Sequence, residues 1–304
     1  MHDIYCYGMI SSSTVIVLDK KFRYPEANTY AEIAETLPSV GGEAVNSAII
    51  LSKLGVKTRL DGNWLNLKNE KKITGLLKPF GIDISPLRVT DNFGTEEVVI
   101  ADSTTRTVFG NYAAFHSGEK QWNSPDEDDI KSCKLAVLDP YFREESDSAA
   151  KLCVKHNIPY VTLDCRFEDF IAQNAEALVI SHELRDQSYP EMNPQDLFTK
   201  YRQNCKGLVI FTFGSDDLWY ARGAGEILKF TPFKIEPVDT TGAGDSFRGA
   251  IAFGLYKGWD DLRTIEFASA VAANVCLSYP HTLNAPGLKE ISNFINERKH
   301  DKKA

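Results

Sequence analysis

One stretch near the C-terminal end of the chain indicates both its fold and its chemistry: Val238-Asp239-Thr240-Thr241-Gly242-Ala243-Gly244-Asp245-Ser246-Phe247. Two glycines and an alanine leave the backbone uncovered where a predicted helix over 245–257 begins. Successive N–H groups can then point at one anion, at the positive end of the helix dipole. The stretch therefore predicts an anion-binding loop that leads into a helix.

Asp245 lies inside this predicted loop and has two explanations. An Asp suits a helix N-terminus as a capping residue, but capping leaves the Gly-Ala-Gly run with an Asp at each end unexplained. A carboxylate beside a bound anion is electrostatically unfavourable unless it takes part in a reaction. Removing a hydroxyl proton during phosphoryl transfer is such a part. The spacing favours phosphate chemistry with Asp245 as the general base.

Apolar runs alternate with amphipathic stretches along most of the chain. Strands are predicted over 4–10, 14–18, 135–138, 160–163, 177–180 and 207–213, with a strand or extended segment over 233–238. Helices are predicted over 44–54, 70–80, 146–157, 194–204, 245–257 and 262–277. This alternation implies right-handed crossovers and an α/β fold, in which helices cover both faces of a mainly parallel sheet.

Two regions, 14–38 and 95–109, depart from this alternation. The first has extended residues without a convincing crossover helix, and the second has β segments at 96–100 and 106–109 around a turn at 102–104. Both are interpreted as strands of a small β sheet set apart from the main one. Because no Pro/Gly/Ser-rich linker and no internal repeat divides the chain, residues 1–304 are expected to form a single domain with this β appendage.

The composition excludes several classes of protein. The chain has 304 residues, 43% of them hydrophobic, which is enough to bury a core. Its 34 Lys and Arg against 42 Asp and Glu give a net charge of −8, so a nucleic-acid partner is not expected. No apolar run reaches about 18 residues and no targeting segment is recognisable, so no membrane partner and a cytoplasmic location are expected. The spacing of the six cysteines matches no zinc motif, and buried reduced thiols are expected.

The stretch at 239–247 resembles the second signature of the ribokinase-like, or PfkB, carbohydrate kinases. The segment Gly41-Gly42-Glu43-Ala44-Val45-Asn46-Ser47-Ala48 resembles the first signature, in the expected order along the chain. The resemblance extends from residue 4 to about 294. It implies a ribokinase-like three-layer αβα core with a small β-sheet lid formed by 14–38 and 95–109.

The resemblance also implies an activity: transfer of the γ-phosphoryl group of ATP, with Mg²⁺, to a hydroxyl of a sugar or nucleoside. Asp245 would be the base, and Gly242, Ala243 and Gly244 would form the anion hole. Many members bind a monovalent cation such as K⁺ beside this loop, at the positions of Asp239 and Thr241.

Further site residues follow from the same resemblance. Gly41 and Gly42 would join the lid to the core, Asn46 would bind substrate hydroxyls, and Glu183 would help to organise magnesium. The expected substrate and nucleotide residues complete the site: Ser13, Glu43, Arg106, Asp164 and Arg166 on the substrate side, and Thr212, Gly214 and Asn274 on the nucleotide side.

Several of these residues have an equally simple structural explanation. Arg106 could approach substrate or merely cover a sheet edge. Asp164 and Arg166 follow a predicted strand at the end that faces the ligand crevice in open α/β sheets, but a local ion pair explains them as well. Asp139 occupies another such strand end.

Three alternatives concern the function itself. A non-catalytic sugar or nucleotide sensor on the same fold is motivated by Ser13 and by the altered motif at 181–183, because fold alone does not establish activity. A dinucleotide-dependent oxidoreductase is disfavoured, since the first predicted strand leads to no Gly-x-Gly-x-x-Gly motif. The substrate is expected to be a ketose or another neutral sugar, with an amine-bearing sugar paired to Glu43 as the alternative.

The exposed edges of a lid also predict a homodimer.

Overall fold

The computed structural model describes residues 2–91, 93–102 and 105–301. Its strands are β1 Ile4–Gly8, β2 Ser11–Leu18, β3 Ile33–Gly41, β4 Thr58–Gly62, β5 Leu65–Asn66, β6 Val89–Thr90, β7 Glu96–Ala101, β8 Arg106–Gly110, β9 Leu135–Leu138, β10 Tyr160–Leu163, β11 Ala177–Ile180, β12 Leu208–Phe213, β13 Asp216–Arg222 and β14 Leu228–Phe230.

Helices occupy most of the connections between these strands. They are α1 Glu43–Lys53, α2 Glu70–Leu77, α3 Tyr112–Ser117, α4 Glu127–Ser132, α5 Glu144–His156, α6 Phe170–Gln173, α7 His182–Ser188, α8 Pro194–Asn204, α9 Ala243–Tyr256, α10 Asp261–Val275 and α11 Leu288–Asp301. Short 3₁₀ turns lie at Lys78–Phe80, Pro140–Phe142 and His281–Asn284.

The main sheet has eight strands in the order β14-β13-β12-β11-β10-β9-β1-β4. Six neighbouring strands, β12, β11, β10, β9, β1 and β4, are parallel to one another. Strands β13 and β14 extend the sheet beyond β12, and each is antiparallel to the strand before it. The central strands are short apolar runs that are buried along their whole length. This is the pattern of parallel strands that are covered on both faces.

Two hydrophobic clusters lie on opposite faces of this sheet. In β1, Ile4 and Cys6 belong to the cluster that contains α1, α9 and α10, whereas Tyr5 and Tyr7 belong to the cluster that contains α5 and α8. Alternate side chains of one strand thus enter different cores, as the pleat requires. The predicted α/β fold with three layers is confirmed.

A second, four-stranded sheet stands apart in the order β3-β2-β7-β8. Strand β2 is antiparallel to β3 and parallel to β7, and β8 returns antiparallel to β7. Both regions predicted to leave the α/β alternation therefore meet in one small sheet. Strands β2 and β3 together span residues 11 to 41, and β7 and β8 span residues 96 to 110, so these strands reach beyond the predicted segments. The turn predicted at 102–104 lies partly outside the described residues.

Some elements differ from the expectations. The predicted strand over 4–10 ends at Gly8, and the small sheet begins at Ser11. Strand β4 was not predicted because Arg59 and Asp61 interrupt its apolar pattern, which an edge strand of the sheet tolerates. Residues 233–238 pair with no strand in the described part of the chain.

The six cysteines are free and buried, as expected. Burial raises the pKa of Cys133 and of Cys276 to about 11, which keeps both thiols protonated at neutral pH. Across the described residues, no helix has both the length and the apolar character needed to cross a membrane.

A buried ion pair joins α9 to the end of β9. Arg248 and Asp139 are both fully buried, and Arg248 Nη1 lies 2.5 Å from Asp139 Oδ1. The other carboxylate oxygen accepts the backbone N–H of Met9 at 2.8 Å, and Arg248 also donates to Ser47 Oγ. Each charge therefore has partners on several elements, which is the condition under which a buried pair is tolerated.

Asp139→Asn is expected to destabilise the fold strongly, because it leaves the guanidinium of Arg248 buried without a counter-charge. The free energy of unfolding should fall by about 3–5 kcal/mol, measured by urea denaturation at pH 7. Asp128→Asn is the matched control, since its ion pair with Lys131 is exposed and should contribute no more than about 1 kcal/mol. Equal, small effects of the two substitutions would contradict the role assigned to the buried pair.

Candidate active site

Two glycines carry the chain from the small sheet into α1. Gly42 has a φ of 104°, and a Cβ there would lie 2.3 Å from the carbonyl oxygen of Met9. A Cβ on Gly41 would lie 2.0 Å from Oε1 of Glu97 on the small sheet. Only glycine fits this close approach and the left-handed backbone of Gly42. The first predicted signature therefore forms the junction between the small sheet and the core.

The second signature forms a tight entry into α9. Gly242 has a φ of 70° and precedes Ala243, the first residue of the helix. Its carbonyl oxygen accepts hydrogen bonds from the N–H (2.9 Å) and the Oγ (2.7 Å) of Ser246. The first N–H groups of a helix lack acceptors within the helix. Gly244 is exposed with open space beside its Cα, so this end of α9 can approach an anion.

Asp245 does not cap the helix. It lies within the first turn of α9, whose N-cap residue is Gly242, and its Oδ2 accepts a hydrogen bond of 2.8 Å from Asn46 Nδ2. Its backbone carbonyl oxygen accepts Ser47 Oγ at 3.1 Å. The capping explanation therefore fails for this residue. Residues from the two signatures, 199 positions apart, meet at a carboxylate that remains half-buried at the helix start.

Asp239 and Thr241 form a small cluster of buried oxygen atoms. Asp239 Oδ1 accepts the backbone N–H of Thr241 at 2.8 Å. Asp239 Oδ2 and Thr241 Oγ1 are buried, and neither has a hydrogen-bond partner in the described part of the chain. Buried oxygens without donors are the ligands that a hard cation prefers, so these two residues fit the predicted monovalent cation.

Glu43, the first residue of α1, lies among acidic groups. Burial, and then the charges of Asp245 and Asp139, raise the pKa of its carboxyl well above the usual range, against a smaller opposing effect of Arg248. Tyr141 shares this environment, and burial together with the charge of Glu43 raises the pKa of its hydroxyl. Tyr141 was not predicted, and its only sequence signal is its place just after the strand end at Asp139.

The small sheet contributes further polar groups. Ser13 pairs in register with Glu97, and its Oγ is buried without a hydrogen-bond partner among the described residues. Glu97 Oε2 accepts the hydroxyl of Tyr112 at 2.5 Å. Glu97 and Tyr112 were not predicted, because acidic residues at the start of a half-exposed strand and a tyrosine after it form no distinctive pattern.

Arg106 reaches the second signature from the small sheet. Its Nη1 donates to Oγ1 of Thr240 at 2.6 Å, across 134 positions of the chain. The sequence suggested that Arg106 either binds substrate or covers the sheet edge. It did not predict this contact with Thr240.

Two other predicted residues, Asp164 and Arg166, follow the end of β10. Asp164 has a φ of 44°, and its carboxylate accepts the N–H (2.7 Å) and Oγ (3.0 Å) of Ser181. Burial raises the pKa of Asp164, with smaller contributions from the charges of Glu183 and Asp245. The Arg166 side chain is exposed near Glu168 at 3.9 Å, so the suggested ion pair of Arg166 with Asp164 is not formed.

The predicted magnesium and nucleotide residues lie on or next to α7, β12 and α10. Glu183 is exposed and lies 3.1 Å from His182 Nδ1. Thr212 Oγ1 lies 3.5 Å from the carbonyl oxygen of Ile180, and Gly214 has a φ of 64° with open space around it. Asn274 Nδ2 donates to the carbonyl oxygen of Ala270 within α10. In the described ranges, no three His, Cys, Asp or Glu side chains are grouped closely enough to hold a metal ion together.

Comparisons with known proteins agree with this geometry. The profile of the pfkB family of carbohydrate kinases matches residues 1–286. A 5-dehydro-2-deoxygluconokinase of Clostridium botulinum is 24% identical over 86% of this chain and 85% of its own. The ribokinase of Bacillus subtilis is 24% identical over 97% of this chain and 100% of its own.

Solved structures show the same fold. The Arabidopsis thaliana ribokinase complexed with ribose and ATP superposes with a TM-score of 0.80 at 17% identity, over 97% of this chain and 98% of its own. The Thermotoga maritima ribokinase superposes with a TM-score of 0.77 at 19% identity, over 97% and 100% of the two chains. With both signatures at one site and a family match over nearly the whole length, this chain belongs to the pfkB family of carbohydrate kinases.

Proposed function

We propose that this carbohydrate kinase transfers the γ-phosphoryl group of ATP to a hydroxyl of a neutral sugar, with Asp245 as the general base. The observation that carries the proposal is the carboxylate of Asp245, held by Asn46 in the first turn of α9 beside the amides of the 242–244 loop. The relatives named above are sugar kinases, and one solved structure of this fold was determined with ribose and ATP.

Each part of the loop has its own task in this mechanism. The attacking hydroxyl becomes a better nucleophile when Asp245 accepts its proton. The N–H groups of Gly242, Ala243 and Gly244 stabilise charge on the transferring phosphoryl group, although the Ala243 N–H also contacts the Thr240 carbonyl oxygen at 3.3 Å. Base and anion hole are therefore fixed by one short segment.

Two cations complete the proposal. Mg²⁺ would neutralise charge on the phosphates, and it is commonly bound through one or two carboxylates together with the phosphates of the nucleotide. Glu183 is a suitable single carboxylate, because its side chain is exposed at the start of α7. K⁺ would occupy the site of Asp239 and Thr241, next to the 242–244 loop.

The first test combines a substrate panel with one substitution. We expect ADP release from ATP and Mg²⁺ with at least one member of a panel of ketoses, aldoses, sugar acids, aminosugars and nucleosides. Asp245→Asn keeps the size of the side chain but removes its basicity, so kcat should fall by about 10²–10⁴. Circular dichroism should show an unchanged fold.

A sensor would give a different pattern in the same experiment. Binding of a sugar by calorimetry without turnover at any magnesium concentration would establish the non-catalytic alternative. A folded Asp245→Asn variant with normal turnover would exclude this residue as the base.

The charge state of Glu43 bears on the substrate. Burial beside Asp245 and Asp139 favours the protonated carboxyl of Glu43. A protonated carboxyl can donate a hydrogen bond to a neutral sugar, whereas an ammonium group on the substrate would need the carboxylate. The environment of Glu43 therefore supports the neutral sugar over the amine-bearing one.

This assignment predicts a specific pH dependence of sugar binding. Because the pKa of Glu43 is raised, its proton is present at low pH and lost as the pH rises through that pKa. The affinity of the wild type should then weaken by up to about tenfold per pH unit. Glu43→Gln mimics the protonated form, so its affinity should match the low-pH wild type and stay nearly constant, measured by isothermal titration calorimetry from pH 6 to 9. Loss of binding in Glu43→Gln, with tighter binding of an amine-bearing sugar by the wild type, would favour the alternative substrate.

The small sheet is proposed to act as a lid over the sugar. Phosphoryl transfer requires water to be excluded from the reacting groups. Gly41 and Gly42 are the narrow junction about which this sheet could turn, and the contact of Arg106 with Thr240 would hold it against the loop in the closed position.

The outer face of the small sheet is proposed to form a homodimer. Val98 and Phe109 pair in register across β7 and β8, so their side chains share this face, with exposures of 36% and 48%. The edge strands β3 and β8 also offer backbone groups to a partner. A second copy of the chain would cover both features.

Sedimentation velocity tests the dimer directly. The wild type should sediment with twice the chain mass of 34.0 kDa, and Phe109→Glu should give single chains because a charge would be buried at the interface. Leu262→Glu on α10 is the control, since Leu262 is 55% exposed but lies away from the small sheet. A wild type that sediments as single chains would refute the dimer.

A further inference from the structure

A segment to which the sequence assigned no function enters the site from the C-terminal side. The 3₁₀ turn His281–Asn284 places His281 and Thr282 against the second signature, and both residues are fully buried. A Cβ on Gly242 would lie 3.2 Å from Thr282 Cγ2 and 3.3 Å from His281 Nδ1. The turn therefore packs directly on the entry to α9.

Hydrogen bonds connect this turn to Asp245. His281 Nδ1 lies 3.0 Å from Thr282 Oγ1, which donates to Asn46 Oδ1 at 2.8 Å, and Asn46 Nδ2 donates to Asp245 Oδ2 at 2.8 Å. At the other end, His281 Nε2 lies 3.5 Å from Oγ of Ser39 on the small sheet. The four residues from His281 to Asp245 form one continuous chain, which we call the Asp245 chain.

Donor counting fixes the direction of every bond in the Asp245 chain. A carboxylate only accepts, so the Asn46 amide must present its NH₂ group to Asp245 and its oxygen to Thr282. The single hydroxyl proton of Thr282 is then used on Asn46, and Thr282 can only accept from His281. His281 must therefore carry a proton on Nδ1, and burial lowers the pKa of its ring.

The orientation of Asn46 depends on this direction. If the amide turned over, its oxygen would face the Asp245 carboxylate at 2.8 Å, and two acceptors would repel each other. The Thr282 hydroxyl opposes this rotation because it offers a donor only to the amide oxygen. A buried amide oxygen without a donor is costly.

We propose that Thr282 and His281 are positioning residues of the kinase: they orient the Asn46 amide so that it holds the Asp245 carboxylate in place for proton removal. The proposal rests on the proposed role of Asp245 as the base. Thr282 and His281 themselves touch no reacting atom and act only through Asn46.

Substitutions at position 282 separate the hydroxyl from the volume of the side chain. Thr282→Val keeps the shape but removes the donor, and its kcat should fall about tenfold, the equivalent of one lost hydrogen bond. The KM for ATP should stay unchanged, because the residues expected to bind the nucleotide, Thr212, Gly214 and Asn274, make no contact with the Asp245 chain in the described part of the structure. Thr282→Ser keeps the hydroxyl and should restore kcat to within about threefold of the wild type.

Thr264→Val is the matched control. Thr264 is a fully buried threonine of α10 whose Oγ1 has no hydrogen-bond partner among the described residues. The same exchange of hydroxyl for methyl at position 264 should leave the kcat of the enzyme at the wild-type value. Thermal melting of all variants compares their folded fractions.

Substitutions at position 281 test which ring nitrogen matters. The side-chain amide of Asn places a donor near the position of Nδ1, whereas that of Gln reaches the position of Nε2. His281→Asn should therefore keep most of kcat, and His281→Gln should lose about as much as Thr282→Val. The two substitutions at position 281 also test the Asp245 chain if the Thr282→Val variant does not fold.

Three results would overturn the proposal. These are a Thr282→Val variant as active as Thr264→Val, a Thr282→Ser variant as slow as Thr282→Val, and equal rates for His281→Asn and His281→Gln. The failure of the proposed function is recognised separately, because it appears as a normal rate in Asp245→Asn and does not depend on positions 281 and 282.

Discussion

The close approach of α1 and α9 is the constraint on which the site depends. A Cβ on Gly249 would lie only 3.1 Å from Cα of Ser47, so the two helices can touch here because residue 249 has no side chain. Ser47 binds the carbonyl oxygen of Asp245, and its hydroxyl also accepts from Arg248. The same contact thus aligns the first turn of α9 with the first turns of α1.

Electrostatics explains why such a site needs a buried cation. Asp245, Glu43 and Asp139 lie close enough to affect one another, and water is largely excluded from the last two. Arg248 supplies the compensating positive charge through its direct ion pair with Asp139. Burial and the neighbouring acidic charges raise the pKa of Glu43, so this carboxyl is favoured in its protonated form.

The parts predicted from the sequence are those with local patterns. The alternation of apolar runs and helices predicted the parallel sheet, and Gly242 and Gly244 predicted the tight entry into α9, because backbone freedom is visible in consecutive residues. Strand β4 was missed because its polar residues are tolerated at a sheet edge. The contacts of Arg106 with Thr240, of Glu97 with Tyr112 and of Thr282 with Asn46 depend on neighbours brought together by topology, and no spacing along the chain encodes them.

The meeting of the two signatures also determines the order in which the molecule can be assembled. Asn46 and Ser47 leave the ribosome roughly 200 residues before their partners in α9. Until then the buried face of α1, which includes Val45 and Ile49, has no helix α9 to cover it. Contacts of such long sequence separation are slow to form, because loop-closure entropy must be overcome first. Nascent chains of this kinase therefore spend much of their synthesis with an exposed apolar helix, which is the period in which they are most open to aggregation.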